Sequence, residues 1–461
     1  VATTLAPDVS LPHPPRRLPV LGDVLGVHVA TPVQDSIRLA RELGPIFERV
    51  VLGNRFVVVS GVDLVTDLND ERRFTKHLAP AVAGLRSIGG DGLFTAYSDE
   101  PNWRKAHDLL RPAFTQAAMR TYHDTMVEVA GELMSYWRTR DHVDVSADMT
   151  KLTLETIGRT AFSYSFDSFT RTERHPFVGA MVRTLTHNQR RAVITVPVLS
   201  DLWFRDRDRR NEQDKAYLAD VIDDIVRTRR DHGVGAENDL LDIMLTAARD
   251  ADPNALDEVN IRHQILTFLI AGHETTSGAL SFALYYLSRD PELWERARAE
   301  IDEVWGDEPP TFERVAKARL VRRILDEALR LWPTAPGYAR EALTDTVIGD
   351  GYRMRRGEWA MVLIPGLHRD PVWGANTDEF DPDRFLSAAV RSRPAQAYKP
   401  FGTGERACIG RQFALHEAMI VLGTVLQNVD VRPDPNYRLR VEERLTLMPK
   451  GFEVQVSPRG R

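Results

Sequence analysis

A chain of 461 residues, 43% apolar and 27% charged, carries enough apolar material for a large buried core, and its net charge of −6 points to no nucleic-acid partner. Its single cysteine excludes an internal disulfide framework and any multi-cysteine zinc site, so a cysteine that binds a metal must act alone. No run of roughly 18 apolar residues occurs, so neither a transmembrane helix nor a membrane anchor is expected, and one free cysteine suits a reducing cytoplasm.

Val1–Ser10 lacks the charged start and apolar stretch of a signal peptide, and residues 1–15 are expected to be loosely ordered. Leu11–Gly22 is proline-rich and reads as an extended entry segment. A helix is expected over Thr31–Leu43. Two β-type runs follow, Ile46–Leu52 and Arg55–Ser60, and read as a hairpin turning at Gly53-Asn54. From Asn102 to Leu331 most segments show helical periodicity. Breaks fall at Gly233–Asn238, Asp250–Asn254 and Gly306–Thr311. Trp103 and His107 share one face of the first of these helices.

Ile265–Leu287 is almost wholly apolar or small, the pattern of a helix buried on every side. Its centre, Ala271-Gly-His-Glu-Thr-Thr276, is polar, which is costly in a buried helix unless the groups are paired or functional. His273-Glu274 invites a zinc-protease reading, but that motif needs a second histidine at position 277, which is serine. Leu320–Leu331 is amphipathic, with Leu320, Ile324, Ala328 and Leu331 on one stripe. Glu327 and Arg330 share a face; an exposed pair of that kind would be solvated decoration.

After Pro333 the texture changes to short β-like pieces, Asp345–Ile348 and Ala360–Ile364. A stretch rich in Pro, Asp and Gly then runs from His368 to Thr403. A loop of more than about 30 residues is uncommon unless it is functional, and this one leads into the only cysteine. A last apolar helix, Gly410–Leu426, precedes a β-rich tail. The reading is one domain, 1–461, mainly α, with a smaller β portion built from both ends of the chain.

The cysteine segment is Lys399-Pro-Phe-Gly-Thr-Gly-Glu-Arg-Ala-Cys-Ile-Gly410. A thiolate on iron needs a depressed pKa and N–H groups aimed at sulfur, and the start of the following helix supplies both. Gly402, Gly404 and Gly410 let the backbone turn tightly beside a flat cofactor. Phe401 would pack beside the sulfur, and Arg406 would pair with an anionic group. A plain core cysteine is the alternative, and the Gly/Arg/Phe surroundings weigh against it. Gly402-x-Gly404-x-x-Ala407 also matches a dinucleotide fingerprint. That fingerprint needs a preceding strand, in which Pro400 sits badly.

At these residues the chain resembles the cytochrome P-450 superfamily, whose Phe-x-x-Gly-x-Arg-x-Cys-x-Gly motif is matched by Phe401, Gly404, Arg406, Cys408 and Gly410. The resemblance implies the P-450 fold, with haem b (iron protoporphyrin IX) between a long distal helix and the cysteine-loop helix. Cys408 would be the proximal iron ligand. Ala271, Gly272, Glu274 and Thr275 would lie over the distal face. Thr275 would hydrogen-bond dioxygen, Glu274 would relay protons, and Gly272 would leave room for oxygen and loosen the helix. A thiolate on the opposite side favours cleavage of the O–O bond. By the same resemblance Glu327, Arg330 and Arg384 form a buried scaffold cluster. Trp103, His107 and Lys76 become contacts to the haem propionates.

Phe268–Gly278, Gly90–Thr95 and Leu331–Pro336 look like the self-sufficient bacterial fatty-acid hydroxylases, in which the haem domain is fused to a diflavin reductase. The likeness runs from about Leu11 to Phe452. It implies that Phe94, with Val82, Leu85, Ala335 and Leu445, lines the substrate pocket. The bacillus-type enzymes hold a fatty-acid carboxylate with an Arg and a Tyr at the channel mouth; Asn54 and Val58 stand there instead. Arg55 is adjacent but should face the other side of its strand. A weak preference for free fatty acids is therefore expected.

The implied reaction hydroxylates a long-chain apolar substrate with dioxygen, two electrons and two protons. The chain shows no flavin or nicotinamide motif, so FMN, FAD and NADPH would act through a reductase. The ending at Ser457–Arg461 reads as a haem domain cut from a longer fusion. Arg104, Lys105, Lys399 and Arg411 could dock an acidic flavin domain. A peroxide-driven hydroxylase and a non-catalytic haem sensor are the alternatives; Glu274 and Thr275 argue against both.

Overall fold

The computed structural model describes residues 10–26, 28, 30–171, 175–193, 197–250 and 252–460, with the side chains of 189–193 and 197–204 outside that description. Helices dominate, as the apolar periodicity implies. The axis of the molecule is the helix Glu258–Ser288, opened by Asp257, whose side chain accepts the Asn260 N–H. It packs against helices Val145–Phe162, Arg319–Leu331 and Arg411–Asn428. Being apolar nearly all round, it gains stability from burial on every face rather than from one stripe. Among the described residues no helix is long and apolar enough to cross a membrane.

The largest sheet has five strands in the order Ile46–Val51, Asn54–Val59, Trp359–Leu363, Gly337–Ala342, Phe74–His77, so segments far apart in sequence meet. The expected first hairpin is present, but its turn lies one residue earlier than the Gly53-Asn54 reading. Val51 pairs with Asn54, and Leu52 (φ 51°) and Gly53 (φ 81°) form the turn. Two positive-φ residues match the twist of the flanking strands, and the Leu52 N–H is held by the Leu21 carbonyl at 3.1 Å. A three-stranded sheet joins His142–Asp144, Glu453–Pro458 and Val429–Pro433. A separate hairpin joins Val441–Glu443 to Leu447–Pro449. The loose order expected for residues 1–15 falls largely outside the described residues. Within them, Leu11 is buried beside Val57 and Phe74.

The stretch from His368 to Thr403 is not structureless. It holds short 3-10 turns, a helix Ser387–Ser392, and a buried ionic clamp. Arg330 meets Glu327 with two bonds of 2.7 Å and donates to the carbonyls of His368, Thr377 and Glu379. Glu327 also accepts the Asp381 N–H at 2.9 Å, and Arg384 stands 3.8 Å away. Arg384 donates to the carbonyls of Trp373, Ala375 and Asn376. Buried His368 bonds the Arg330 carbonyl through Nδ1 (3.0 Å) and accepts the Lys399 N–H at Nε2 (2.9 Å). The clamp thus positions the start of the cysteine loop.

Candidate functional site

The cysteine loop is a set of tight backbone turns. Gly402 donates to the Lys399 carbonyl, Cys408 to Phe401 at 2.8 Å, and Ala407 to Gly404. Gly402 (φ 68°) and Gly404 (φ 70°) lie in the left-handed region, and a Cβ on Gly404 would overlap the Glu71 carboxylate. That carboxylate accepts the Glu405 N–H at 2.9 Å. Gly410 then caps helix Arg411–Asn428. Cys408 presents surface, yet burial pushes its thiol up, while the Gly410 N–H and Arg411 favour the thiolate. That combination fits a side chain facing an enclosed cleft rather than bulk water. Among the described residues no cluster of three His, Cys, Asp or Glu could hold a metal.

Three cations gather beside this loop without a carboxylate partner among the described residues. Arg406 donates to the Ala96 carbonyl at 2.6 Å, lies 4.4 Å over the Trp103 ring, and leaves Nη1 buried and unbonded. Lys76 donates to the carbonyls of Phe94 and Ala96. Buried Arg340 reaches only the Thr403 carbonyl, at 3.4 Å, and leaves Nε unbonded. Burial and mutual repulsion push Lys76 down to about 6 and Arg406 down to about 10. The nearby Glu100 is committed to Arg86 at 2.6 Å. Stranded buried charges of one sign are costly, so this cluster fits a dianion; with the lone thiol it suits the acidic edge of haem. Trp103 is buried, and His107 stacks on it at 5.3 Å. Arg340 was missed in the sequence because only the strand order brings it beside Arg406.

The middle of helix Glu258–Ser288 is where that helix opens. Ala271 is exposed and Gly272 and Thr275 are half-buried, within a run otherwise almost wholly buried from Gln264 to Leu284. An open stripe on a buried helix marks a cleft. Thr275 Oγ1 donates back to the Ala271 carbonyl at 2.7 Å. The helix continues unbroken through Gly272, so the expected loosening does not occur. A Cβ there would stand 3.1 Å from Ile157, so the glycine serves close packing against helix Val145–Phe162. Glu274 turns away from the open stripe. Its Oε2 accepts from Thr446 at 3.0 Å and its Oε1 lies 3.5 Å from Arg444. His273 is fully buried and bonds the Leu269 carbonyl; burial lowers its pKa and keeps it neutral.

Loop residues 92–96 tie that helix to the cysteine loop. Leu93 N–H bonds Gln264 of helix Glu258–Ser288 at 3.0 Å, while the carbonyls of Leu93 and Ala96 accept from Arg406. Phe94, on this loop, is 40% exposed. Ala335 is exposed and Val82 and Leu445 are half-buried, as cleft residues would be. Leu85 instead packs into the main core. At the hairpin Val58 is buried against Ile37 and Phe47. Arg55 is held by Glu48 at 2.7 Å and Tyr352 at 3.1 Å, so it is committed elsewhere. Of the surface cations, Arg104 pairs with Glu405 at 2.9 Å, Arg411 lies over Phe401, and Lys105 and Lys399 are half-buried. A groove of about 910 Å³ near Tyr136 and Phe169 contains none of these residues.

A family model described as Cytochrome P450 matches residues 12–456. A bifunctional cytochrome P450/NADPH–P450 reductase of Bacillus cereus is 44% identical over 455 residues, covering 98% of this chain and 42% of that protein. Bifunctional cytochrome P450/NADPH–P450 reductase 1 of Bacillus subtilis is 43% identical, with 96% of this chain and 42% of that protein covered. A self-sufficient cytochrome P450 monooxygenase of Phanerodontia chrysosporium is 39% identical, with 98% and 43% covered. The chain therefore spans less than half the length of these relatives.

Proposed function

The chain belongs to the cytochrome P450 family, which makes it a haem-binding monooxygenase domain, and from that premise we propose that it hydroxylates long-chain apolar substrates, fatty acids or their relatives, using dioxygen and electrons from an NADPH-dependent diflavin reductase. The chief support is an exposed lone thiol, Cys408, and an open Ala271–Thr275 stripe on an otherwise buried helix, tied to one another through loop 92–96, which bonds both Gln264 and Arg406. The residues fit haem. Cys408 would hold the iron, and Lys76, Arg340 and Arg406, backed by Trp103 and His107, would hold the propionates. Gly402 and Gly410 give the loop its close approach, and Phe401 covers the sulfur side.

Haem, when bound, supplies the reductive activation of dioxygen. The remaining roles fall to side chains. Thr275 holds a hydroxyl proton at the cleft, and Glu274 exchanges protons between the protein and that hydroxyl. Phe94, Val82, Ala335 and Leu445 present an apolar surface that orients the chain and excludes water. The balance is R–H + O2 + two electrons + two protons giving R–OH + H2O. The names of the relatives support a reductase partner, with the cations around Cys408 as its docking face, and a cytoplasmic setting suits an NADPH-dependent reaction. The committed Arg55 and buried Val58 support weak anchoring of a carboxylate.

The test is product formation from palmitate and hexadecanol with NADPH and a diflavin reductase, against hydrogen peroxide alone. Hydroxylation should require NADPH and reductase. In Thr275→Ala, NADPH consumption should continue while product per NADPH falls at least about tenfold. Equal product from peroxide alone, or none with the reductase, would overturn the reading.

A further inference from the structure

Glu274 is 1% exposed, yet it is not isolated. Arg444 stands 3.5 Å from Oε1, and Arg444 is itself held by Glu442 at 2.7 Å. Glu442 in turn meets Lys450 at 3.8 Å. Side-chain exposure rises along this line, from 2% at Glu274 through 24% at Arg444 to 62% at Lys450. Four alternating charges therefore run from the buried acid to solvent, through the turn between Val441–Glu443 and Leu447–Pro449. The other titratable neighbour on the acid's own helix is His273, which burial keeps neutral. From helix Val145–Phe162, Thr153 reaches the His273 carbonyl at 2.8 Å and brings no charge. On helix Arg411–Asn428, Glu417 is held protonated at neutral pH by burial. Arg444 is thus the cation that faces Glu274.

The contact is also incomplete. At 3.5 Å it is longer than the roughly 2.7–2.9 Å of a charge-assisted hydrogen bond, and Oε1 has no hydrogen bond. A fully bonded carboxylate would resist leaving; a half-satisfied one gives up less. Glu274 and Thr275 are adjacent on a helix and point about 100° apart, so the acid must turn to reach the cleft.

We propose that Arg444 is a positioning residue for proton delivery: its guanidinium docks Glu274 against the hairpin, and release of that contact lets the acid turn toward Thr275. This rests on the reading of Glu274 as the proton relay. In the cycle, Glu274 takes a proton from solvent at the hairpin turn and delivers it at the Thr275 hydroxyl; the charged line of Arg444, Glu442 and Lys450 holds the docked acid and carries no proton itself. Glu274 then returns as a carboxylate to Arg444, which stays charged throughout.

The experiment uses the haem-loaded protein with NADPH and a diflavin reductase, reading product per NADPH against pH. In Arg444→Gln the limb of the profile that depends on Glu274 should move up by about one pH unit, because loss of a cation disfavours the charged acid. Arg444→Lys should restore most of the shift, and KM should stay within about twofold because substrate binding is untouched. Independently of turnover, the melting-temperature losses of Arg444→Gln and Glu274→Gln should be non-additive in the double variant. Additive losses, or an unshifted profile in Arg444→Gln, overturn the proposal. If Glu274→Gln itself leaves the profile intact, the relay reading beneath it has failed; a profile that answers to Glu274→Gln but not to Arg444→Gln sinks the proposal alone.

Discussion

Glu417 lies fully buried in the helix that follows Cys408, with neither carboxylate oxygen hydrogen-bonded. Burial pushes its carboxyl up to about 8, only partly opposed by the Thr156 hydroxyl. The folded protein keeps this proton at neutral pH, whereas the unfolded chain loses it near the ordinary value of 4.5. Folding therefore takes up a proton across that window. The group's contribution to stability is full below pH 4.5 and declines by about 1.4 kcal/mol per pH unit until the folded carboxyl ionises near pH 8. At pH 7 the loss amounts to about 3 kcal/mol. Glu417→Gln removes this titration and keeps the shape. Urea unfolding of both proteins at equal haem load, followed by far-ultraviolet circular dichroism, should show the variant gaining on the parent by about 4 kcal/mol between pH 5 and pH 8. A difference between the two proteins that stays flat across that range would refute the reasoning, because no other group changes between them.

Three further outcomes follow from the geometry. Glu327→Gln strips a buried guanidinium of its only carboxylate partner within 3 Å among the described residues and should cost about 3–5 kcal/mol in unfolding experiments; a loss below about 1 kcal/mol would mean that the carbonyls around Arg330 suffice. Arg406→Ala and Lys76→Met each remove a cation from the unpaired cluster, and haem transfer to an acceptor globin should quicken at least about tenfold in either; unchanged transfer would move the propionates elsewhere. Spin-state titrations with palmitate, methyl palmitate and hexadecanol should give dissociation constants within about tenfold of one another, a spread of about 1.4 kcal/mol. Much tighter binding of palmitate would reveal a carboxylate anchor elsewhere in the protein than positions 54 and 58.

The elements that read well are those whose signal is local. The buried period of Glu258–Ser288 and the glycines of the cysteine loop act within one turn or one element, and the structure carries both; the Glu327–Arg330 spacing read by itself as solvated decoration, and its burial was implied only by the family resemblance. The first hairpin was legible, but its turn was displaced by one residue, because Leu52 accepts a left-handed backbone that composition does not advertise. A Cβ on Gly272 would crowd Ile157, a neighbour from another helix that the sequence did not reveal. Arg340 and Arg444 were illegible for the same reason. Each is an ordinary charged residue in its own strand or turn, and only sheet order or hairpin placement sets it beside Arg406 or Glu274. Leu85 shows the converse: it follows half-buried Val82 by three residues, while its own side chain packs into the core.

The central claim is that Cys408 is a thiolate ligand to haem iron in the cleft shared with Thr275. The optical spectrum of the reduced carbon monoxide complex tests it most directly. The parent protein should show the thiolate-type Soret band, and Cys408→Ser should lose that band while still retaining haem on the Lys76–Arg340–Arg406 cluster. Persistence of the thiolate-type band in Cys408→Ser, or its absence from the haem-loaded parent, would contradict the account.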